Sequence, residues 1–281
     1  MNVRIIPRLD IKGPNLVKGV QLEGLRVLGK PSDFARFYYE NGADELLYMD
    51  VVASLYERNS LREIISETSN DIFIPLTVGG GIRTLIDIRN VLRAGADKVL
   101  INTAAIKNPD FIRQSVLEFG SSTIVVAIEA IQYKCGNYMA FTDNGREHTG
   151  IEVVEWAYQI EELGAGEIVI TSVDREGTGK GFDATLIKLI SEGLSIPIVA
   201  HGGGGKKEDI LNICKEGRVD AVCIASMFHY GFIKDNIANH AEATEGNFDF
   251  IKSGHVVKNI NPIDIKDLKH FLLDNGIQVR I

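Results

Sequence analysis

The sequence predicts a (β/α)8 barrel, and three observations lead there. Eight short runs are too apolar for a sheet with one wet face, each gives way to a segment with helical spacing, and the second half of the chain repeats the first at an offset of about 122 residues. Strand and helix alternating in this way describe a parallel sheet covered by helices, and eight units close it into a cylinder. An open doubly wound sheet is the other arrangement, but no GxGxxG sequence opens the first helix.

The first unit is the strand "RIIPRLD" (4–10) with an amphipathic helix at 32–41, whose cap is expected at Ser32 or Asp33. "ELLYMD" (45–50) precedes a helix at 58–69, "FIPLTV" (73–78) one at 84–94, and "DKVLIN" (97–102) one at 108–119. The second half opens on "TIVVAIE" (123–129) with a helix at 149–163, then "EIVITS" (167–172) with 183–192 and "IPIVA" (196–200) with 206–216. "DAVCIA" (220–225) is the eighth strand, and the last helix lies near 263–275. Residues 1–281 therefore read as one barrel domain, with a polar insertion at about 231–262 that is either a solvated loop or a lid. Trp156 and Phe182 read as packing residues.

Composition excludes several functions. With 45% hydrophobic and 24% charged residues and a mean hydropathy of +0.04, the chain has the profile of a soluble globular protein. A net charge of −8 and a pI near 5.3 argue against a nucleic-acid or anionic-membrane surface. Cys135, Cys214 and Cys223 are odd in number and match no metal or disulfide spacing, so ordinary thiols in a reducing, cytoplasmic setting are expected. No run of about 18 apolar residues and no signal-peptide layout occurs. The six histidines are scattered; His201 and His229 are the two placed near the barrel mouth, in polar supporting roles rather than metal ligation. Neither a metal nor a cofactor is called for.

The repeat says where chemistry belongs. "NGADELLYMD" (41–50) returns as "LGAGEIVITS" (163–172), "TVGGGI" (77–82) as "VAHGGGG" (199–205), and "DKVLINTAAI" (97–106) as "DAVCIASMFH" (220–229). The first strand of each half ends in a carboxylate, Asp10 and Glu129. Barrel catalysis sits at the C-terminal ends of strands, and two carboxylates there divide acid and base duty if their surroundings separate their pKa values. The plain alternative is that each caps a turn. Both glycine runs, "VGGGIR" (78–83) and "HGGGGK" (201–206), follow a strand and precede a helix, where free N–H groups suit an anion. One such run is no more than a tight loop; two at related positions suggest a substrate with a phosphate at each end.

These residues resemble the HisF family, the cyclase subunits of imidazole glycerol phosphate synthase. The likeness covers 2–230 and 263–280 and is carried by "RIIPRLDIK", "LVKGV", "GADELLYMDVVAS", "IPLTVGGGIR", "RAGADKVLINTAAIKNP", "VVAIEA", "EWAYQIEELGAGEIVITSVDREGTGKGFD" and "GIQVR". It implies a lyase of histidine biosynthesis that takes ammonia through the barrel from a HisH-like glutaminase docked at the N-terminal face, where Asp97 is a candidate interface residue. The ammonia would meet a bisphosphorylated ribulosyl formimino aminoimidazole carboxamide ribotide, giving imidazole glycerol phosphate and aminoimidazole carboxamide ribotide. By the same resemblance, Asp10 and Glu129 are the catalytic acids and bases, and Lys18 contacts substrate. Gly80, Gly81, Asn102 and Thr103 hold one phosphate; Gly202, Gly203, Ala225 and Ser226 hold the other. Asp174, Glu176 and Thr178 belong to a loop near the site, and Arg4, Glu45, Lys98 and Glu167 form a charged gate at the barrel floor.

Three positions depart from that family: Glu129 stands where Asp is usual, Arg8 stands where Cys is usual, and 231–262 is longer than the usual link. A catalytic group displaced by about 1 Å can lose on the order of a hundredfold in rate. Residues 8 and 10 share a strand face, so Arg8 should point inward and need Asp10, Glu129 or a substrate acid as partner. Two other readings therefore stand beside the cyclase: a relative that channels ammonia to another acceptor, such as a surface-sugar precursor to be amidinated, and a noncatalytic barrel that regulates a glutaminase.

Overall fold

A computed structural model describes residues 2–53, 61–133, 136–236 and 259–281. Strand β1 (Arg4–Lys12) runs on into an antiparallel meander, β2 (Asn15–Val20) and β3 (Glu23–Gly29), before helix α1 (Pro31–Glu40). Then follow β4 (Leu46–Asp50), α2 (Arg62–Asp71), β5 (Leu76–Gly79), α3 (Leu85–Arg93), β6 (Lys98–Ile101), α4 (Thr103–Lys107) and α5 (Asp110–Phe119). The second half repeats the plan. It comprises β7 (Ile124–Gln132), the meander strands β8 (Tyr138–Thr142) and β9 (Glu147–Glu152), α6 (Val153–Glu162), β10 (Glu167–Ser172) and α7 (Ala184–Ser191). β11 (Ile198–His201), α8 (Lys207–Glu216), β12 (Ala221–Ile224), α9 (Ser226–Asn236) and α10 (Ile265–Asp274) complete it.

Eight parallel strands pair in the order β10, β11, β12, β1, β4, β5, β6, β7, and the pairing of β7 with β10 closes the barrel. Every predicted strand lies in it. The alternation of side chains along each strand divides the apolar residues between two cores. Ile6, Leu47, Leu100, Val125, Val169 and Val199 point into the lumen, while Ile5, Tyr48, Val99, Val126 and Ile168 meet the helices outside. Trp156 and Phe182 are buried in the outer core.

The two meanders were not legible as strands in the pattern of apolar runs. Each turns through two non-glycine residues with positive φ, Gln21 and Leu22 in the first half, Asp143 and Asn144 in the second. In the first half the pair is a two-residue hairpin turn whose twist matches the strands; in the second, Gly145 extends the left-handed run within a four-residue connection. The helix predicted at 149–163 accordingly starts at Val153, because 147–152 is β9. Helix α1 also differs at its start: the cap residue is Lys30, without a side-chain cap, and neither Ser32 nor Asp33 occupies that place. Pro31 at the first helical position supplies the φ value and has no N–H to satisfy. Residues 58–60 of the second predicted helix, Cys135, and most of the 231–262 insertion lie outside the described residues.

Candidate functional site

Asp10 lies three-quarters along β1 and Glu129 at the equivalent place on β7, so the parallel arrangement puts both at one end of the cylinder. Helix entrances beside them are built alike. In the first half, Asp87 Oδ2 accepts from the backbone N–H groups of Arg83 (3.0 Å) and Thr84 (2.9 Å); in the second, Asp209 Oδ2 accepts from Gly205 (2.9 Å) and Lys206 (3.0 Å). Glycine is required just upstream. A Cβ on Gly80 (φ +100°) would stand 2.3 Å from the Asp50 carbonyl oxygen, and one on Gly203 (φ +107°) 2.1 Å from that of Gly181.

The cavity in front of the first glycine run measures about 310 Å³ and brings together Gly80, Gly81, Asn102, Thr103 and Glu129. Arg83, Lys107, Asp50 and Asn144 line it too, and sequence reasoning passed them over. Arg83 ends the quoted "VGGGIR", and the "TDNG" turn signal around Asn144 was also there to be read. The second run faces a space of only about 20 Å³, shared by Gly202, Gly203, Ala225 and Ser226 with Glu176, Phe182 and His201. Neighbouring backbone narrows it: Gly181 N donates to Gly203 O (2.8 Å) and Asn261 N to Gly205 O (2.6 Å).

Two buried ion pairs stand at the mouth beside a buried carboxyl that has none. Arg8 Nε donates to Asp10 Oδ1 at 2.7 Å, both side chains buried, and Lys18 is ion-paired with Glu176. Arg8 thus takes Asp10 as the partner its inward position demanded. Burial alone would push the Asp10 carboxyl up, but Arg8, then Lys18, hold it below the usual carboxylate range. Glu129 has no ion pair among the described residues; burial pushes its carboxyl up to about 7, against the pull of the Gly145 N–H (2.8 Å from Oε2), Arg8 and Asn102. Two carboxyl groups at one mouth are therefore set apart in acidity.

Lys18 and Glu176 also join the first meander to the 173–182 loop: Leu22 N donates to Glu176 Oε2 (3.2 Å) and Gln21 N to Glu176 O (2.9 Å). Asp174 accepts from Gln132 N at the end of β7 (2.8 Å), and Thr178 Oγ1 donates to Arg175 O (2.6 Å) inside its own loop. His201 ends β11 with Nδ1 3.1 Å from Thr171 Oγ1 and 3.2 Å from Arg8 Nη1. His229, expected near the mouth, lies within electrostatic reach of Lys18 and Asp10 there and stacks on Tyr38 of α1, 2.6 Å from its hydroxyl. Burial, chiefly, drives its pKa down to about 3.

At the opposite end Arg4 is ion-paired to Glu45 and Glu167, and Lys98 reaches both acids at 3.1 Å, closing a ring of four alternating charges. Asp97 beside it is exposed and accepts from Leu76 N at 2.9 Å. Among the described residues no cluster of three or more His, Cys, Asp or Glu could hold a metal, and no helix is long and apolar enough to cross a membrane.

By fold and site this is a twofold-repeated (β/α)8 barrel with a carboxylate and a glycine cradle at the mouth of each half. Residues 4–234 match the model of the family described as histidine biosynthesis protein, and the chain belongs to the HisF family within it. It is 59% identical over 208 residues to the imidazole glycerol phosphate synthase subunit HisF of Legionella pneumophila, covering 74% of this chain and 98% of that one. Proteins of the same name from Lactococcus lactis subsp. cremoris and Alkaliphilus metalliredigens are 46% and 45% identical, each over 81% of this chain and 88% and 90% of their own. Each relative is named as one subunit of a synthase.

Proposed function

We propose that this chain is the cyclase subunit of an imidazole glycerol phosphate synthase, a lyase that uses ammonia from a HisH-like glutaminase on a bisphosphorylated ribulosyl formimino aminoimidazole carboxamide ribotide. The observation that carries the reading is the pair of carboxyl groups, one on the first strand of each half, whose surroundings set their acidities apart. Glu129, protonated up to about pH 7, would donate a proton as water leaves the ribulosyl carbonyl; Asp10, whose charged form Arg8 and Lys18 favour, would take the proton of the attacking ammonia. Gly80, Gly81, Asn102 and Thr103 would hold one phosphate, with Arg83 and Lys107 adding positive charge at the same cavity. Gly202, Gly203, Ala225 and Ser226 would hold the other once the 173–182 loop, with Asp174, Glu176 and Thr178, moves and frees Lys18. The ring of Arg4, Glu45, Lys98 and Glu167 would gate ammonia at the face where the glutaminase docks, with Asp97 at its edge. The excess residues of 231–262 carry no part of this reading.

Purified protein supplied with ammonium salt and that substrate should consume it, and Asp10→Asn and Glu129→Gln should each abolish most turnover. Unchanged rates in both variants would remove the mechanism. One observation favours a second reading, a HisF-like barrel that delivers ammonia to a different acceptor: the second cradle has room for about 20 Å³ where the first has about 310 Å³, which suits a substrate with a single phosphate. No turnover by the wild type, restored in Glu129→Asp, would select it.

A further inference from the structure

We infer that Arg8, itself held by His201, is a positioning residue that grips one oxygen of Asp10 and leaves the other to the reacting molecule; this deepens the acid/base reading above and rests on it. The geometry is specific. Arg8 Nε meets Asp10 Oδ1 at 2.7 Å, while Asp10 Oδ2 takes no hydrogen bond from the described residues and is not sealed away as a buried unpaired atom. A single-pronged contact through Nε engages one oxygen and keeps the other free, whereas a two-pronged pair would occupy both.

The guanidinium is anchored from behind. Arg8 Nη1 lies 3.2 Å from His201 Nδ1, and a guanidinium only donates, so Nδ1 is the acceptor and the ring is neutral with its proton on Nε2. Thr171 Oγ1 flanks the same nitrogen at 3.1 Å. Burial and the nearby cations Arg8 and Lys18 push the His201 pKa well below its ordinary value, which favours the neutral ring that this contact requires. β10, β11 and β1 thus supply one residue each to a chain of contacts ending at the carboxylate.

Among the described residues, the other titratable groups near Asp10 are otherwise engaged. Lys18 on β2 is engaged by Glu176, Cys223 on β12 is kept protonated by burial, which pushes its pKa up to about 12, and His229 on α9 is neutral with a pKa near 3. Glu129 across the lumen is the carboxyl left without a cation of its own. Arg8 therefore has two separable effects, charge and aim, and different substitutions remove them.

The test is steady-state kinetics with ammonium salt and the bisphosphorylated substrate across pH, joined to carbon NMR of aspartate-labelled protein in which the Asp10 signal is assigned by its loss in Asp10→Asn. In Arg8→Met the Asp10 carboxyl should titrate about 1 to 3 pH units higher than in wild type, and the acid limb of the rate profile should follow it. Arg8→Lys keeps a charge but loses the planar grip: the limb should stay low, KM should hold, and kcat should fall about 10- to 100-fold. His201→Ala should lower kcat less and leave the limb in place. An Asp10 titration that is the same in wild type and Arg8→Met, or an Arg8→Lys that raises KM at unchanged kcat, overturns the inference. If Arg8→Met does not fold, the Arg8→Lys split decides it. A wild type that shows no turnover sinks the cyclase reading, while the NMR titration still tests the hold of Arg8 on Asp10.

Discussion

The two halves of the barrel share one plan and differ in electrostatics. Both place a carboxylate on their first strand, both run that strand on into a meander, and both cap the helix after the glycine run with an aspartate. Yet the first half holds a fixed anion and the second a proton. The difference lies in cations rather than in depth, since Asp10 and Glu129 are both buried. β1 and β2 bring Arg8 and Lys18 next to Asp10, whereas the turn between β8 and β9 brings the Gly145 N–H to Glu129, which has no ion pair among the described residues. The cradles differ too, the first open and the second filled by the 173–182 loop and the chain around Asn261. A repeated frame therefore does not imply repeated chemistry: side chains two residues away decide which group ionises.

Asp10→Asn attacks the comparison most directly. It would leave Arg8 buried beside a neutral amide and should cost about 3–5 kcal/mol, read by urea unfolding, with Arg8→Met in the same chain recovering much of it. A cost no larger than that of Glu129→Gln would mean that the two carboxyl groups are not set apart after all.

Glu129→Gln should act with the opposite sign. The folded carboxyl, raised to about 7 from an ordinary 4.5, holds its proton more tightly than the unfolded chain does. Its stabilising effect is complete below the unfolded pKa and is lost as pH rises through the folded one. The glutamine variant, which does not ionise, should therefore gain on the wild type between those limits, by up to about 3 kcal/mol above neutrality. Thermal unfolding at several pH values measures it; a difference independent of pH would refute the raised pKa.

The frame itself should respond equally in both halves. Gly80→Ala and Gly203→Ala each force a side chain into left-handed backbone against a carbonyl oxygen, and each should cost about 1–3 kcal/mol in chemical denaturation. A tolerated Gly203→Ala would show that the second cradle is not held as tightly as its narrowness indicates. The smallest effect belongs to the strut between the meanders, where Arg146 Nε meets Glu23 at 2.9 Å in an exposed pair. Arg146→Ala should change stability by less than about 1 kcal/mol, while limited proteolysis near Gln21 becomes faster.

Much of the site was legible because chemistry rides on strand ends. Asp10, Glu129 and the glycine runs announce themselves by position within a repeated pattern, and the Arg8 demand for a carboxylate follows from two-residue periodicity on β1. The meanders escaped notice because their strands are short and mixed in polarity, as in "EGLRVLG" and "EHTGIE", with no apolar run to mark them. That His229 also packs on Tyr38 was not legible, because a histidine just after the eighth strand can turn toward any neighbouring helix and the phase of α9 settles which. Asp50 and Lys107 lie inside quoted stretches, Asp50 at the end of a predicted strand, but nothing in those stretches marks them as facing the first cavity, which is lined by residues far apart in the chain.

What the sequence determined by itself is the cylinder, its internal repeat and the end at which polar residues gather, since these follow from periodicity and spacing that every segment carries locally. Which carboxyl keeps its proton, which cradle stands open and which acid Arg8 binds were decided only by the tertiary structure. Those outcomes depend on burial and on distances of a few ångströms between β1, β2, β7, β10 and β11, and no local stretch of sequence encodes them.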